Sequence, residues 1–464
     1  MKQGRNVAGP MLEPIAAIAT GANRCAIGIV RLSGSGVVET VSRLFTPQNG
    51  KEFSQCPERK LVFGILRDGG GVPIDRALCT FTRGPNSYTG EDTAELQCHG
   101  SPMLLRLVLE ALFQNGVRQA GPGEFTKRAF LNGRMDLTQA EAVVDLVDAE
   151  TPAAARCAAG QLGGALSRRF DKIYGGLVDI SAHFCAVLDY PDEDLNPCDR
   201  DTIGQALREA QEGLGALLQS YDRGKYLTRG VPCCIVGHPN VGKSSLLNAL
   251  LGYERAIVTD VAGTTRDTIE ERCILGGVLL RLIDTAGLRD TGDAVERMGV
   301  ARSRKAVAEA DLVLAVLDGS QRATGEDEEV LRLAATAPHC IVIRNKSDLP
   351  RKQDEELFGE MPAVTVSALT GDGLEDLGAA VAAIYPHGGA EDTGALLTNP
   401  RQFSAAQRAK KSIETAAESL RAGVSPDAVL MDVESALSAL GELTGKTVRE
   451  DVTARIFERF CVGK

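Results

Sequence analysis

The hydrophobic and polar positions along the chain change period several times, and each change marks a change of structure. Up to residue 130, short apolar runs end at Gly and Ser turns, and "PIAAIAT" and "AIGIVRLSG" read as strands. "PMLLRLVLEALFQNG" carries helical apolar spacing and stops at Gly116. Residues 1–130 are therefore expected to form a mixed α/β domain. From 131 to 228 the period becomes helical. In "LTQAEAVVDLVDAE", Ala140, Val143, Val144 and Val147 share one face, and Thr138 and Glu141 stand at capping-box spacing. A second stripe runs through Ala206, Leu207, Ala210, Leu214, Leu217, Leu218 and Tyr221, and between the two lies "LDYPDEDLNP", an acidic break bounded by prolines.

Residues 229–388 alternate short apolar strands with helices: "VPCCIVG", "VLLRLID", "LVLAVLD", "CIVIRN" and "AVTVSA". Such alternation predicts βαβ units and a mainly parallel sheet. A Gly/Pro-rich joint, "YPHGGAEDTGALLTNP", closes the block, and helical spacing returns through Leu430, Val433, Leu437 and Leu440. Helical segments 131–228 and 389–464 thus flank the α/β block. The expected fold is multidomain, α/β and all-α, with one helical domain split by an inserted domain, as insertion at a surface loop allows.

Composition narrows the setting. With 44% hydrophobic and 24% charged residues the chain is an ordinary globular one. No run of 18 apolar residues is present, and "IAAIAT" is too short for a signal-peptide core; Met11 is an alternative start. Twelve scattered cysteines without a C-x-x-C pair point to free thiols in a reducing cytoplasm, and the adjacent Cys98 and His99 have no second pair at zinc-ligand spacing. A net charge of -11 argues against a broad nucleic-acid surface. Any RNA contact is expected to be local, with "TKRAFLNGR" and "RQFSAAQRAKK" as the basic clusters, or to rely on a partner's charge.

The chemistry is concentrated in the α/β block. "CIVGHPNVGKSS" is G-x-x-x-x-G-K-S directly after a strand and opening a helix, from Gly237 to Ser244. Glycines let backbone N–H groups close on phosphates, Lys243 reaches the β/γ oxygens and the Ser244 hydroxyl binds Mg²⁺. "LIDTAG" ends a strand with Asp284, placed for the Mg²⁺ shell, and Gly287, whose N–H approaches the γ-phosphate. "RNKSD" brings Asn345, Lys346, Ser347 and Asp348; a carboxylate there accepts from guanine N1–H and the 2-amino group, which adenine lacks, a discrimination of ~10⁴. "VSALTG" adds Ser367 and Ala368 near the base. "DVAGTTRD" lies where a switch loop belongs, with Thr265 as second Mg²⁺ ligand. The candidate GTP-binding set is Asn240, Val241, Gly242, Lys243, Ser244, Ser245, Thr259, Asp260, Val261, Ala262, Gly263, Thr264, Thr265, Asp284, Thr285, Ala286, Gly287, Asn345, Lys346, Ser347, Asp348, Ser367 and Ala368. Leu288 follows Gly287 where a Gln could orient water, so another group must do that work. Asn240 is either an oxygen ligand for a monovalent cation beside the phosphates or a residue stabilising its own loop.

The chain closes on "RIFERFCVGK". Cys461 stands four residues from the end, but Val462, Gly463 and Lys464 do not complete a prenylation box. A frayed tail and a reactive thiol on a mobile arm remain as readings.

At this point the chain resembles the tRNA-modification GTPase family called MnmE or TrmE. The resemblance rests on "IGIVRLSG", "GPNSYTGED", "GPGEFTKRAFLNGRMDLTQAEAV", "LDYPDED", "AGTTRD", "DTAGLRDTGDAVERMG" and "RIFERFCVGK", which run in order from about residue 15 to 464. It implies a potassium ion held by Asn240, Thr259, Val261 and Thr264, with Mg²⁺ on Ser244 and Thr265. It also implies that Glu296 orients or activates water in place of the missing Gln. G domains of such proteins pair across a dimer. The N-terminal domain is implied to dimerise and to bind a one-carbon (5-formyl- or methylene-) tetrahydrofolate through Arg31, Glu95, Arg134 and Lys464, beside which Cys461 serves as nucleophile or proton donor. The implied activity is GTP hydrolysis coupled to modification of C5 of the wobble uridine of certain tRNAs. The implied partner is MnmG, carrying FAD and using NADH, in a heterotetramer built on the homodimer. The chain departs from the family pattern at "GANRCA", where a Pro/Gly-rich turn is usual, and at "LQCHGSP", which is less Gly-rich. The rival reading is a GTP-dependent interaction switch, such as a ribosome-assembly factor, whose outer domains only bind partners.

Overall fold

The computed structural model describes residues 13–21, 23–189, 200–253, 271–283, 304–352, 359, 361–386, 394–447, 453, 456–458 and 460–463. The chain divides into two compact units, Met1–Val144 with Thr444–Lys464, and Asp145–Leu443.

The first unit is built on seven strands, β1 (Ile15–Ile18), β2 (Ile27–Ser33), β3 (Phe45–Pro47), β4 (Val62–Arg67), β5 (Pro73–Thr82), β6 (Thr93–His99) and β7 (Arg118–Gln119). They lie in the order β3-β4-β5-β6-β2-β1-β7, antiparallel throughout except for β1 against β7. Period-two alternation decides the faces. On β6, Ala94, Leu96 and Cys98 are buried while Glu95 and Gln97 are half-buried on the other side. The buried face, with Val30, Leu32 and Leu66, is covered by the helices Val37–Leu44 and Pro102–Gln114. The second helix starts on a proline at its first turn, where no N–H is needed, and ends before Gly116 at φ +84°. The two predicted strands and this helix are all present; β3 to β7 were not read from the sequence.

One expected cap is displaced. The helix Leu137–Val147 is capped by Asp136, not by Thr138 and Glu141. Asp136 Oδ1 accepts from the Gln139 N–H at 2.9 Å, and Gln139 Oε1 accepts from the Asp136 N–H at 3.0 Å. Thr138 is buried, and its hydroxyl donates to Asp136 Oδ1 at 2.6 Å. A carboxylate two residues earlier accepts from a free first-turn N–H, so the helix begins there. Val147, expected on the buried stripe, is 46% exposed.

In the second unit the helices Pro152–Leu162, Ala165–Asp189, Arg200–Gln219 and Tyr221–Arg229 precede a sheet, and Pro400–Arg421 and Pro426–Thr444 follow it. One apolar core joins the two sets: Phe170, Leu207 and Leu214 pack with Ala409, Ile413, Val433 and Leu440. Tyr221, the last residue of the predicted stripe, stacks on Phe403 with ring centroids 4.4 Å apart. The sheet consists of β8 (Val231–Val236), β9 (Glu271–Leu275), β10 (Val278–Leu282), β11 (Leu312–Asp318), β12 (His339–Asn345) and β13 (Ala363–Thr365), ordered β13-β12-β11-β8-β10-β9. Every pairing is parallel except the β9–β10 hairpin at the edge. All six residues of β8 are buried, as a central strand covered on both faces requires. Among the described residues no helix is long and apolar enough to cross a membrane.

Candidate functional site

The loop after β8 has the shape its glycines permit. Gly237 has φ +154° and Gly242 φ +100°. A Cβ on Gly237 would stand 2.3 Å from the Val316 carbonyl oxygen, and one on Gly242 would stand 2.1 Å from Asn345 Nδ2. Between them Asn240 takes φ +62°, a left-handed conformation that Asn tolerates better than other side chains. The loop opens the helix Lys243–Tyr253, so Lys243, Ser244 and Ser245 occupy its first turn. Lys243 Nζ donates to the carbonyls of Gly237 at 2.8 Å and His238 at 2.6 Å, and burial pushes its pKa down. A half-buried ammonium that, among the described residues, is held by carbonyls alone, beside a helix N-terminus and a glycine cradle, is arranged for an anion such as a phosphate.

The segments expected from the sequence to read a base converge on this loop. Asn345, 2% exposed, donates through Nδ2 to the Val241 carbonyl at 2.8 Å and accepts through Oδ1 from the Ala368 N–H at 2.9 Å. It therefore splints the phosphate loop to the loop of Ser367 and Ala368. Ser367 is fully buried; its hydroxyl donates to Asp348 Oδ1 at 2.7 Å and accepts from the Thr370 N–H at 3.2 Å. That fixes one carboxylate oxygen of Asp348 and orients the group. The Ser347 N–H donates to the Val366 carbonyl at 3.2 Å. Lys346, at φ +65°, ion-pairs with Asp318 at 2.7 Å. Burial raises the Asp318 pKa, but the Lys346 ammonium and the Ser320 hydroxyl and N–H outweigh it and hold the carboxyl below its ordinary value. Sequence reading missed Asp318, although it ends the apolar run "LVLAVLD" one strand away from Asn345. It also missed the contact of His238 Nδ1 with Glu326 at 3.3 Å. Thr259, Asp260, Val261, Ala262, Gly263, Thr264, Thr265, Asp284, Thr285, Ala286, Gly287, Leu288 and Glu296 lie outside the described residues, as does Lys464.

In the first unit Arg31 and Glu95 are cross-strand partners on β2 and β6, joined Nε to Oε1 at 2.9 Å with about 30% of each side chain exposed. Nearby, the loop 84–92 carries Tyr88, which is partly exposed and whose hydroxyl is hydrogen-bonded to Thr126 Oγ1 at 3.0 Å. Burial raises the Tyr88 pKa, opposed by that hydrogen bond and by the charge of Arg31. Arg134 lies against Gly90 of the same loop. Arg128, read in the sequence only as part of the basic cluster "TKRAFLNGR", is turned inward and anchors this region from behind. It is 2% exposed and pairs with Glu91 at 3.0 Å and Glu124 at 2.9 Å, while Glu91 also accepts from Ser33 at 2.7 Å. The only hint in the sequence was the i,i+4 spacing of Glu124 and Arg128.

The chain end is seated in this unit. Val462 bridges Pro122, the Gly123 N–H donates to the Cys461 carbonyl at 3.3 Å, and Gly463 takes φ +102° against the Ile18 carbonyl. Cys461 is exposed. Among the described residues no hydrogen bond joins it to Arg31, Glu95 or Arg134. His99 pairs through Nδ1 with Asp75 at 2.8 Å, while Cys98 is buried on the opposite face.

A family model for the GTP-binding protein TrmE N-terminus matches residues 14–134, and one for the MnmE helical domain matches residues 137–461. The chain is 43% identical over 468 aligned residues to the tRNA modification GTPase MnmE of Roseiflexus castenholzii, covering 97% of this chain and 99% of that one. The chain belongs to the MnmE family. MnmE proteins of Thermoanaerobacter pseudethanolicus (41% identical, 98% of this chain and 100% of that one) and Aquifex aeolicus (43%, 98% and 100%) agree with it. As a member of the MnmE GTPases the chain is a GTP hydrolase with a P-loop α/β domain.

Proposed function

We propose that this chain couples GTP hydrolysis to modification of C5 of the wobble uridine of certain tRNAs, acting in the cytoplasm with MnmG and a one-carbon tetrahydrofolate. The observation that supports this most is the seated chain end, with the Cys461 thiol exposed while the backbone on either side of it is held in the unit that carries Arg31 and Glu95. An interaction switch has no use for such an arrangement. Arg31, Arg134 and Lys464 are suited to the carboxylates of a folate, and Glu95 to donors on its ring. The partly exposed Arg31–Glu95 pair fits such a ligand, because each group keeps hydrogen-bonding capacity free for it. Cys461 acts beside the one-carbon unit.

In the second unit, the Gly237–Gly242 cradle and Lys243 bind the phosphates and Asp348 reads guanine. Ser244 and Thr265 hold Mg²⁺, which supplies charge stabilisation to the transferring phosphoryl group. Asn240, with Thr259, Val261 and Thr264, holds potassium where two G domains pair, and Glu296 orients water. The domain layout that goes with this is folate and dimerisation over 1–130, a helical domain over 131–228 and 389–464, and the G domain over 229–388. The working assembly is a homodimer, and with MnmG a heterotetramer. Mass analysis of tRNA wobble uridines tests the reading in cells lacking the protein and in cells carrying Cys461→Ser. Loss of the modified base in both, with GTP hydrolysis retained by the variant, is expected; unchanged modification in the deleted cells would overturn it.

A further inference from the structure

We propose that the second unit carries a separate binding site for a small planar aromatic carboxylate, in a cavity between the helix Tyr221–Arg229 and the end of the sheet where β10 and β12 begin. The cavity has a volume of about 200 Å³. That is below the usual size of drug-sized ligand pockets, so it admits a one- or two-ring molecule and excludes a nucleotide. Its walls are mainly apolar, with Leu279 of β10 and Ile384 among them. Tyr226 and Tyr385 meet edge to face with centroids 5.1 Å apart, and His339 stands edge-on to Tyr385 at 5.4 Å. The Tyr385 hydroxyl is turned away to the Asp311 carbonyl at 3.2 Å, which leaves ring surface to the cavity.

The cationic side chain of the lining is Arg223, with Thr151 and His339 as further polar residues. The Arg223 Nε and Nη2 are both buried, and among the described residues neither has a hydrogen-bond partner. Among the described residues it makes no ion pair. Burying two guanidinium N–H sites without acceptors is costly, and the cost is reduced when an anion binds there. Nε and Nη2 lie on one edge of the guanidinium, the fork that takes both oxygens of a carboxylate. A ligand with a flat ring lying against the tyrosine pair and a carboxylate on that fork satisfies both features at once. Neither Arg223 nor any other residue named for the cavity belongs to the nucleotide or folate sets.

The probe is 2-naphthoate, titrated calorimetrically into the full-length protein, with the neutral 2-naphthamide as its shape-matched control. Naphthoate is expected to bind one to one, and the amide at least about tenfold more weakly, because it cannot form the charged pair. Arg223→Gln should weaken naphthoate by a similar factor, and His339→Trp, which fills the rim without touching the arginine, should block both compounds. Circular dichroism checks that each variant is folded, and His339→Trp keeps the test open should Arg223→Gln not fold. No binding of naphthoate, equal affinity for acid and amide, or undiminished binding in either folded variant would each overturn the assignment.

Discussion

Arg128 offers the most demanding test of the N-terminal unit, because a buried ion triad fails locally and measurably when its centre is removed. Its guanidinium donates to Glu91, Glu124 and the Glu13 carbonyl, while Nε has no partner. The Glu91 and Glu124 side chains are 16% and 19% exposed, so neither carboxylate regains full hydration when Arg128 is replaced. Arg128→Met keeps most of the volume and takes the shared cation from two partly buried acids, leaving Glu91 with the Ser33 hydroxyl and Glu124 with Arg118 and the Gly121 N–H, at a cost of up to about 3–5 kcal/mol. In hydrogen exchange of the full-length protein at pH 7, that loss speeds amides in segments 84–92 and 120–131 by up to about two to three and a half orders of magnitude. The strands β11 and β12, in the other unit, should keep their protection.

The same triad carries a pH signature. Burial raises the Glu124 carboxyl pKa, but Arg118, the Gly121 N–H and Arg128 overcome it and hold the pKa at about 2 against an ordinary 4.5. A depressed carboxyl contributes stability that is present above its unfolded pKa and lost as pH falls through the folded one. The window is therefore pH 4.5 down to 2, and the contribution, reduced by solvent screening of the part-exposed Arg118 pair, is on the order of 1–2 kcal/mol. The parent chain should lose protection of the 120–131 segment across that window, and Arg128→Met should lose less because part of the effect is already gone. Unchanged exchange in that segment at pH 7, or superimposable acid limbs for the two proteins, would refute the role of the triad.

How much of this was legible in the sequence depends on how local the cause is. The strands β1, β2, β8 and β10 to β13 announce themselves by apolar runs with turn residues at their ends, and the phosphate loop by glycines whose spacing the backbone itself demands. The Asp348 and Ser367 segments were legible for the same reason. The antiparallel pairing of β4, β5 and β6 was not, because register such as Phe63 opposite Leu78 and Leu78 opposite Gln97 is a long-range choice among half-buried strands. Asp136 as a cap was hidden by a Thr two residues on with the expected spacing. Polar partners across strands were hidden altogether. Asp318 and Lys346 are 28 residues apart, and Arg128 and Glu91 are 37 apart, so no window along the chain contains the pair. Arg223 is the extreme case, since what marks it is the absence of a partner.

Two further substitutions test the seats on which function depends. Gly463→Ala places a Cβ at 2.3 Å from the Ile18 carbonyl oxygen at a φ of +102°, so the chain end should leave its seat and carboxypeptidase should trim it about tenfold faster or more. Trimming at the parental rate would mean that the pairing of Val462 with Pro122 does not hold the tail. Asn345→Ala tests the splint beneath the nucleotide. It removes two hydrogen bonds and leaves the Val241 carbonyl and the Ala368 N–H without their partner in a site that is 2% exposed. Two such losses amount to about 2–4 kcal/mol, part of which falls on the folded domain and part on the nucleotide-ready arrangement of its loops. Since Asn345 joins the phosphate loop to the base loop, the affinity share should appear as a rise of about tenfold or more in the Kd of a fluorescent GDP analogue. Asn345→Asp separates the two bonds, because it retains the acceptor for Ala368 and puts a repelling oxygen against the Val241 carbonyl. If both variants bound the analogue as the parent does, the phosphate and base loops would not be coupled through this side chain, and the guanine end of the site would have to be organised by Ser367 and Asp348 alone.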